Sequence, residues 1–329
     1  MAFDNAPSAV HLDQILTNLT LNFVTDQNFI ANRVFPVLDV EYKSDEFYKF
    51  DPDEANRELD DDMLLAPRTE PRKFDVSHGK DNYMAQVRGL SFDIDTQTAA
   101  NEDEQLNFRQ RKANELMHKL MLRRDRDFLN TFVTSGVWGE DLDGGTSDFT
   151  QWSDASSTPI DDVRQWKRDF QIRNYGFKPN KMLVTQDVLD ELMANTQILG
   201  RINGGATIGN PALVDMALLA GIFGVEEVIV ADAVSNTAAV GATASKDYMV
   251  KNKALLTYTP SSVGLDTPAS GMVFAWNSVP GTSWGITMES FTDDALRRQQ
   301  IAEQVQGKMA YDMKVVGPSL GTYVENIIA

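Results

Sequence analysis

Residues 101–135 read NEDEQLNFRQRKANELMHKLMLRRDRDFLNTFVTS, and the reading of this stretch decides the fold. It holds neither Pro nor Gly. Its apolar residues return at helical steps: Ala113, Leu116, Met117 and Leu120, then Met121, Phe128 and Phe132. Asn101 is placed to cap the N-terminus, with Glu102, Asp103 and Glu104 at the positive end of the helix dipole. Arg123, Arg124 and Arg126 lie toward the negative end. With a rise of about 1.5 Å per residue, roughly thirty residues make a rod of about 45 Å, longer than one small domain needs. The pattern predicts a strut with larger parts attached at both ends.

Upstream, DNYMAQVRGLSFDID (81–95) reads as a strand with Leu90, Phe92 and Ile94 on one face. Before it, residues 41–75 hold twelve acidic and six basic residues, including the run Asp60, Asp61, Asp62. Tyr42, Tyr48 and Phe50 mark an outgoing strand, and Phe74 and Val76 begin a returning one. So few apolar residues cannot bury either face, so the segment is expected to be a long two-stranded ribbon lying against something else. A mobile acidic loop is the plainer alternative. In residues 1–38, Leu12, Ile15, Leu16 and Leu19 give one short helical face and VFPVLDV (34–40) reads as extended. This suits an arm packed on a neighbour, or else a disordered tail.

Downstream, residues 136–159 form a Gly/Ser/Asp-rich connector. Thr158 and Pro159 open a helix that turns Ile160, Val163, Trp166 and Phe170 inward and stops before Gly176. Short strands and helices then alternate. A strand is expected at 181–184, an N-cap at Thr185, a helix at 186–194, and another helix from Asn210 and Pro211 through Phe223. The apolar run 225–230 reads as a strand buried on both faces. Further strands are expected at 247–250, 254–258 and 272–276, giving a second, α/β-type domain. Two long strands close the chain: 284–291, and 301–315 with period two over fifteen residues.

The chain of 329 residues is 42% hydrophobic and 24% charged, which is enough for two domains sharing a sizeable core. With 48 acidic against 30 basic residues its formal charge is −18, which argues against non-specific nucleic-acid binding. The absence of cysteine excludes disulfides, thiolate nucleophiles and thiolate metal sites. No basic-then-apolar leader opens the sequence and no run approaches eighteen apolar residues, so a soluble intracellular product is expected.

Four motif matches fall short of a site. GPSLG (317–321) has the G-x-S-x-G spacing of a nucleophile elbow, but no acid–His pair follows, and His11, His78 and His118 all lie far upstream. Glu115-x-x-His118 is half of a di-iron motif, present in one copy. Gly204 and Gly209 have P-loop spacing, but Asn210 and Pro211 replace the residues that hold phosphate and magnesium. Asp141, Asp143 and Asp148 around Gly144 lack the downstream bidentate Glu of a calcium loop. No catalytic, cofactor-binding or metal-binding residue is expected. A strut, a ribbon and an arm that cannot satisfy themselves call for neighbouring copies.

The order of these parts resembles the major capsid proteins of tailed bacteriophages, and within them the branch of the phage lambda head protein. The resemblance is carried by VFPVLDVEYKSDEFYKFDPDE (34–54), APRTEPRKFDVSHGKDNYMAQVRGLSFDID (66–95), YGFKPNKMLVTQDVLDELMANTQIL (175–199), GIFGVEEVIVADAV (221–234) and QGKMAYDMKVVGPSLGTYVENII (306–328). It implies an α+β, HK97-like capsid fold. Residues 1–38 would be the N-terminal arm and 39–92 the extended E-loop. Residues 93–178 and 284–316 would be the P-domain, with its spine helix at 101–135, and 179–283 with 317–329 the A-domain. The resemblance further implies no enzymatic site and no cofactor. It implies hexamers and pentamers that close into an icosahedral shell around double-stranded DNA, without sequence-specific binding and without a membrane. Scaffold, portal and decoration proteins would be partners, in the virion and, during assembly, in the host cytoplasm. Some members crosslink through an E-loop lysine; Lys43, Lys49, Lys73 and Lys80 are present, but no residue marks that chemistry. The expected contact between subunits sets Asp60, Asp61 and Asp62 against Arg109, Arg111, Lys112, Lys119, Arg123, Arg124 and Arg126 of a neighbour's helix. A nanocompartment shell of the encapsulin type, and a soluble hydrolase built on the GPSLG turn, are the alternatives.

Overall fold

The structure is a computed structural model. It describes residues 29–55, 67–70, 79–97, 105–146, 148–203, 215–239, 241–262, 264, 267–278, 284–292, 296 and 299–329, with the backbone of residues 11–12. In chain order come β1 (His11–Leu12), β2 (Val37–Val40), β3 (Ser44–Tyr48), helix α1 (Pro52–Ala55), β4 (Lys80–Met84) and β5 (Gln86–Asp95). Helix α2 (Gln105–Phe132), β6 (Glu140–Asp143) and α3 (Pro159–Arg173) follow. The alternating part holds β7 (Lys181–Thr185), α4 (Gln186–Ala194), α5 (Thr196–Asn203), α6 (Met216–Phe223) and β8 (Glu227–Ala231). Then come β9 (Val234–Asn236), β10 (Lys246–Tyr248), β11 (Lys253–Thr257) and β12 (Gly271–Trp276). The last strands are β13 (Thr287–Phe291), β14 (Ile301–Val315) and β15 (Gly321–Glu325).

Helix α2 buries Ala113, Leu116, Met117, Leu120, Met121, Phe128 and Phe132, the stripe set out by its periodicity. The stripe lies on a sheet of order β1-β13-β14-β12-β2, with β5 on the other edge of β14. Strand β14 spans the expected fifteen residues. Its odd positions Val305, Gly307, Met309, Tyr311 and Met313 are buried, while Gln304, Gln306, Lys308, Asp312 and Lys314 on the opposite face are half-buried. Gly307 lets the helix approach, because a Cβ there would come within 3.0 Å of Leu120 Cδ1.

Three expectations need correction. First, α2 closes at Phe132 with no base in its last turn, so Arg123, Arg124 and Arg126 lie beyond the reach of the dipole's negative end. Asn101 and the three acids after it lie outside the described residues. Second, the hairpin returns through β4, and Phe74 and Val76 lie outside the described residues. Its root is anchored within the same chain. Phe47 and Tyr83 fall on one face of the β3–β4 pair and are 3% exposed, packed on Phe274 at ring-centroid distances of 5.2 and 4.5 Å. Third, the connector at 136–159 contains β6, whose acidic sequence Glu-Asp-Leu-Asp has little strand propensity. It forms the edge of the second sheet, parallel to β15.

That second sheet runs β6-β15-β11-β7-β8, with β7 and β8 parallel. Ile160, Val163 and Trp166 of α3 are buried in its core beside Val188, Leu189 and Leu192 of α4, and Phe170 of α3 is fully buried as well. Asp215 caps α6 by accepting a hydrogen bond from Met216 N, and Asn210 and Pro211 lie outside the described residues. Gly321, at the start of β15, admits the Trp138 ring, which occupies the space a Cβ would need. Trp138 Nε1 donates to the Phe132 carbonyl at 2.7 Å, so this approach joins the end of α2 to the second sheet.

Candidate assembly surfaces

The motif residues carry structural bonds. Ser319 lies in a single 3-10 turn, and its carbonyl accepts from Arg173 Nε (3.1 Å) and Asn174 Nδ2 (2.9 Å). Its hydroxyl is buried with no hydrogen-bond partner among the described residues, so no base is set against it. Arg173, at the end of α3, reaches on to Glu140 (2.6 Å), Gly321 O (3.1 Å) and Thr322 Oγ1 (2.8 Å), fixing the turn against the second sheet. Glu115 pairs with Lys112 (3.2 Å) and Lys119 (2.9 Å), and these two cations lower its carboxyl below the usual range. His118 lies instead against Phe29, at a ring distance of 5.9 Å. Asp143 accepts from Gly145 N and Asn326 Nδ2, and Asp148 accepts from Asp143 N. Gly204 and Gly209 lie outside the described residues. Among the described residues no group of three or more His, Cys, Asp or Glu side chains is placed to hold a metal ion. No described helix is long and apolar enough to cross a membrane.

The bases of α2 divide by their surroundings. Arg109 pairs with Glu303 of β14 at 2.7 Å, and Arg123 with Asp127 at 3.0 Å. Arg111 and Arg126 are exposed, with no ion pair among the described residues. Arg124 is corrected from a surface contact to a core residue. It is 1% exposed, with its guanidinium over the Trp284 ring at 4.3 Å and Nη1 donating to the Trp284 carbonyl at 3.1 Å. Burial pushes it down to about 10. Asp60, Asp61 and Asp62 lie outside the described residues.

Sequence reasoning missed the two acids that flank Arg126. Asp127 gathers Arg88 from β5 (3.0 Å), Arg123 (3.0 Å) and the Tyr311 hydroxyl from β14 (3.0 Å). Asp125 faces inward, where its carboxylate oxygens accept from the amides of Ile30 and Ala31. A signal for Asp125 existed, since it stands four residues after Met121 and three before Phe128, on the apolar stripe.

Exposed apolar side chains collect along the hairpin and β5: Tyr42, Tyr48, Met84, Val87 and Leu90. Among the described residues β5 pairs only with β14, leaving one strand edge open. A second apolar pair, Ile172 and Tyr175, lies at the end of α3. A groove of about 940 Å³ is lined by Arg33, Phe35, Phe177, Lys178 and Tyr258 among others. Nothing in it sets a nucleophile against a base. The surfaces suit contact with large partners better than chemistry on a small one.

No family model matches the chain, and no curated protein matches it in sequence. Solved structures do match it in fold. A phage-related protein from Bordetella bronchiseptica RB50 is 17% identical, over 97% of this chain and 98% of that one, at a TM-score of 0.70. The mature capsid of bacteriophage PhiM1 is 10% identical, over 91% of this chain and 87% of that one, at 0.54. The holo-SrpI encapsulin complex from Synechococcus elongatus PCC 7942 is 12% identical, over 92% and 89%, at 0.53. The fold is the α+β, HK97-like fold.

Proposed function

We propose that this chain is a major capsid protein: a structural, non-enzymatic subunit that closes as hexamers and pentamers into the icosahedral head of a tailed phage, around double-stranded DNA. The observation that carries this reading is a likeness in fold running almost end to end in both directions, 97% and 98% for the phage-related protein and 91% and 87% for the PhiM1 capsid. The anchored hairpin, the open edge of β5 and the exposed apolar residues beside it are surfaces that neighbouring copies would cover. A charge of −18 suits a wall that must enclose DNA without gripping it. On the stretches quoted above, the lambda head-protein branch is the nearer likeness. Residues 39–92 act as the E-loop, and its tip at Asp60, Asp61 and Asp62 reaches a neighbour's α2. There the exposed Arg111 and Arg126 receive it, with Arg109, Lys112, Lys119 and Arg123 in support. Scaffold, portal and decoration proteins complete the head, which assembles in the host cytoplasm.

Electron microscopy of the purified protein tests this directly. Closed shells of many copies are expected, and nucleic acid inside particles from the native source. A monodisperse monomer at high concentration, across salt and scaffold conditions, overturns the reading. A nanocompartment shell is the second reading, favoured by the likeness to the encapsulin, which nearly equals that to the phage capsid. Particles filled with an enzyme instead of DNA would establish it.

A further inference from the structure

Asp125 is fully buried where α2 meets the chain arriving from the N-terminal side. Its Oδ2 accepts from Ile30 N and its Oδ1 from Ala31 N, each at 3.2 Å. Those two amides belong to a compact turn in which Arg33 N and Val34 N both donate to the Ile30 carbonyl. Phe29, Ile30, Ala31, Val34 and Phe35 are all buried beside them. No described cation forms an ion pair with the carboxylate. Arg124, the next residue on the helix, directs its guanidinium to Trp284. Arg33, on the covering turn, pairs with Glu227 at 2.6 Å, and His118 lies farther back on α2 against Phe29. Asp232, just past β8, adds a second negative charge to the field at Asp125. Both described hydrogen bonds to this carboxylate thus come from the buried turn that packs beside α2.

We propose that Asp125 is a proton-linked latch: the turn at 29–35 seats more tightly on α2 when Asp125 carries a proton, and more loosely when it is ionised. Seating the turn buries a charge whose only described hydrogen-bond donors are two main-chain amides, and lifting it returns the charge to water. Desolvation dominates. The Ala31 and Ile30 amides and Arg124 offset part of it, Asp232 adds to it, and the carboxyl rises from its ordinary 3.8 to about 6. The seated state has the higher pKa, so its advantage is complete below the ordinary value and is lost as pH rises through about 6. When protonated, the group still offers one carbonyl oxygen to an amide. The latch belongs to the single chain and holds whatever the chain assembles into.

Hydrogen exchange of the full-length protein, followed by mass spectrometry on peptides spanning 29–35 between pH 5 and 7.5, tests the latch. After correction for intrinsic exchange, protection should be about tenfold higher at pH 5 than at pH 7.5. Asp125→Asn should abolish that dependence. Asp232→Asn, which removes the second acid, should move the midpoint to lower pH. A flat wild-type profile, or an Asp125→Asn profile like the wild type, overturns the proposal. So does an equal response in peptides from β12, which would mark global stability instead of a local latch. If Asp125→Asn fails to fold, the Asp232→Asn midpoint decides, and one that stays put or rises overturns the proposal.

Discussion

Tyr311 donates its phenolic hydrogen to Asp127 Oδ2 at 3.0 Å, joining the longest strand of the sheet to the helix that lies across it. Burial, with the Asp127 charge beside it, raises the phenol well above its usual range, so it remains a donor at any working pH. The same carboxylate oxygen holds Arg88 of β5 at 3.0 Å, and the Arg88 guanidinium lies over the Tyr311 ring at 4.6 Å. Tyr311→Phe keeps the ring and removes one hydrogen bond to a charged acceptor. It should cost the unassembled subunit about 1.5–3 kcal/mol in urea unfolding. Asp127→Asn, which also breaks two ion pairs, should cost more. A Tyr311→Phe variant as stable as the wild type would show that the contact carries no weight.

Gly321→Ala should destabilise by about 1–3 kcal/mol, because the added Cβ must displace the Trp138 ring from between the two cores. Trp138 is held by its bond to the Phe132 carbonyl and cannot swing away freely. The change should appear as a lower urea midpoint with altered tryptophan emission. An unshifted midpoint would mean that the ring relaxes without cost.

Within the hairpin, root and tip should separate in their effects. Phe47→Ala removes a buried ring from Phe274 and should loosen the root, at about 3–4 kcal/mol for a fully packed aromatic. Replacing 56–66 by a short Gly/Ser turn keeps Phe47, Tyr83 and α1. It should leave a folded subunit with native helix content by circular dichroism that no longer closes shells in electron micrographs. Normal shells from that variant would remove the tip from any role between subunits.

The arginines of α2 should part along the line of burial. Arg111→Glu and Arg126→Glu should change subunit stability by no more than about 0.5 kcal/mol while impairing assembly, as followed by sedimentation. Arg124→Ala should do the reverse, costing about 2–4 kcal/mol through loss of its packing on Trp284 and its bond to the Trp284 carbonyl. Unimpaired assembly of the double Arg111→Glu, Arg126→Glu variant would argue against this face of α2 as a contact.

The long elements were legible in the sequence because each carries one period over many residues. Helix α2 repeats its stripe from Ala113 to Phe132, and β14 alternates from Gln304 to Lys314 except at the small Ala310. Arg124 and Asp125 were not legible, because charged residues beside Arg123 and Arg126 look like a solvated face unless their place on the stripe is counted. The hairpin's anchor was hidden for another reason. Phe47 and Tyr83 are isolated aromatics far apart in sequence, and only strand pairing brings them to one face. Strand β6 was missed because four residues with three acids satisfy no strand preference, and its place at a sheet edge makes that composition tolerable.

The pairing of β14 also dictates when this protein can fold. Its partner β5 ends at Asp95, yet pairs with residues 301–311, and β2 finds its place beside β12 across more than two hundred residues. A ribosome making the chain therefore releases the apolar stripe of α2 long before the strand that covers it exists. At about 5–20 residues per second, that interval lasts on the order of ten seconds or more. During it the nascent chain offers chaperones a bare helix, and the hairpin cannot dock, because Phe274 is still unmade. The first sheet, and every surface built on it, is complete only once β14 has been made.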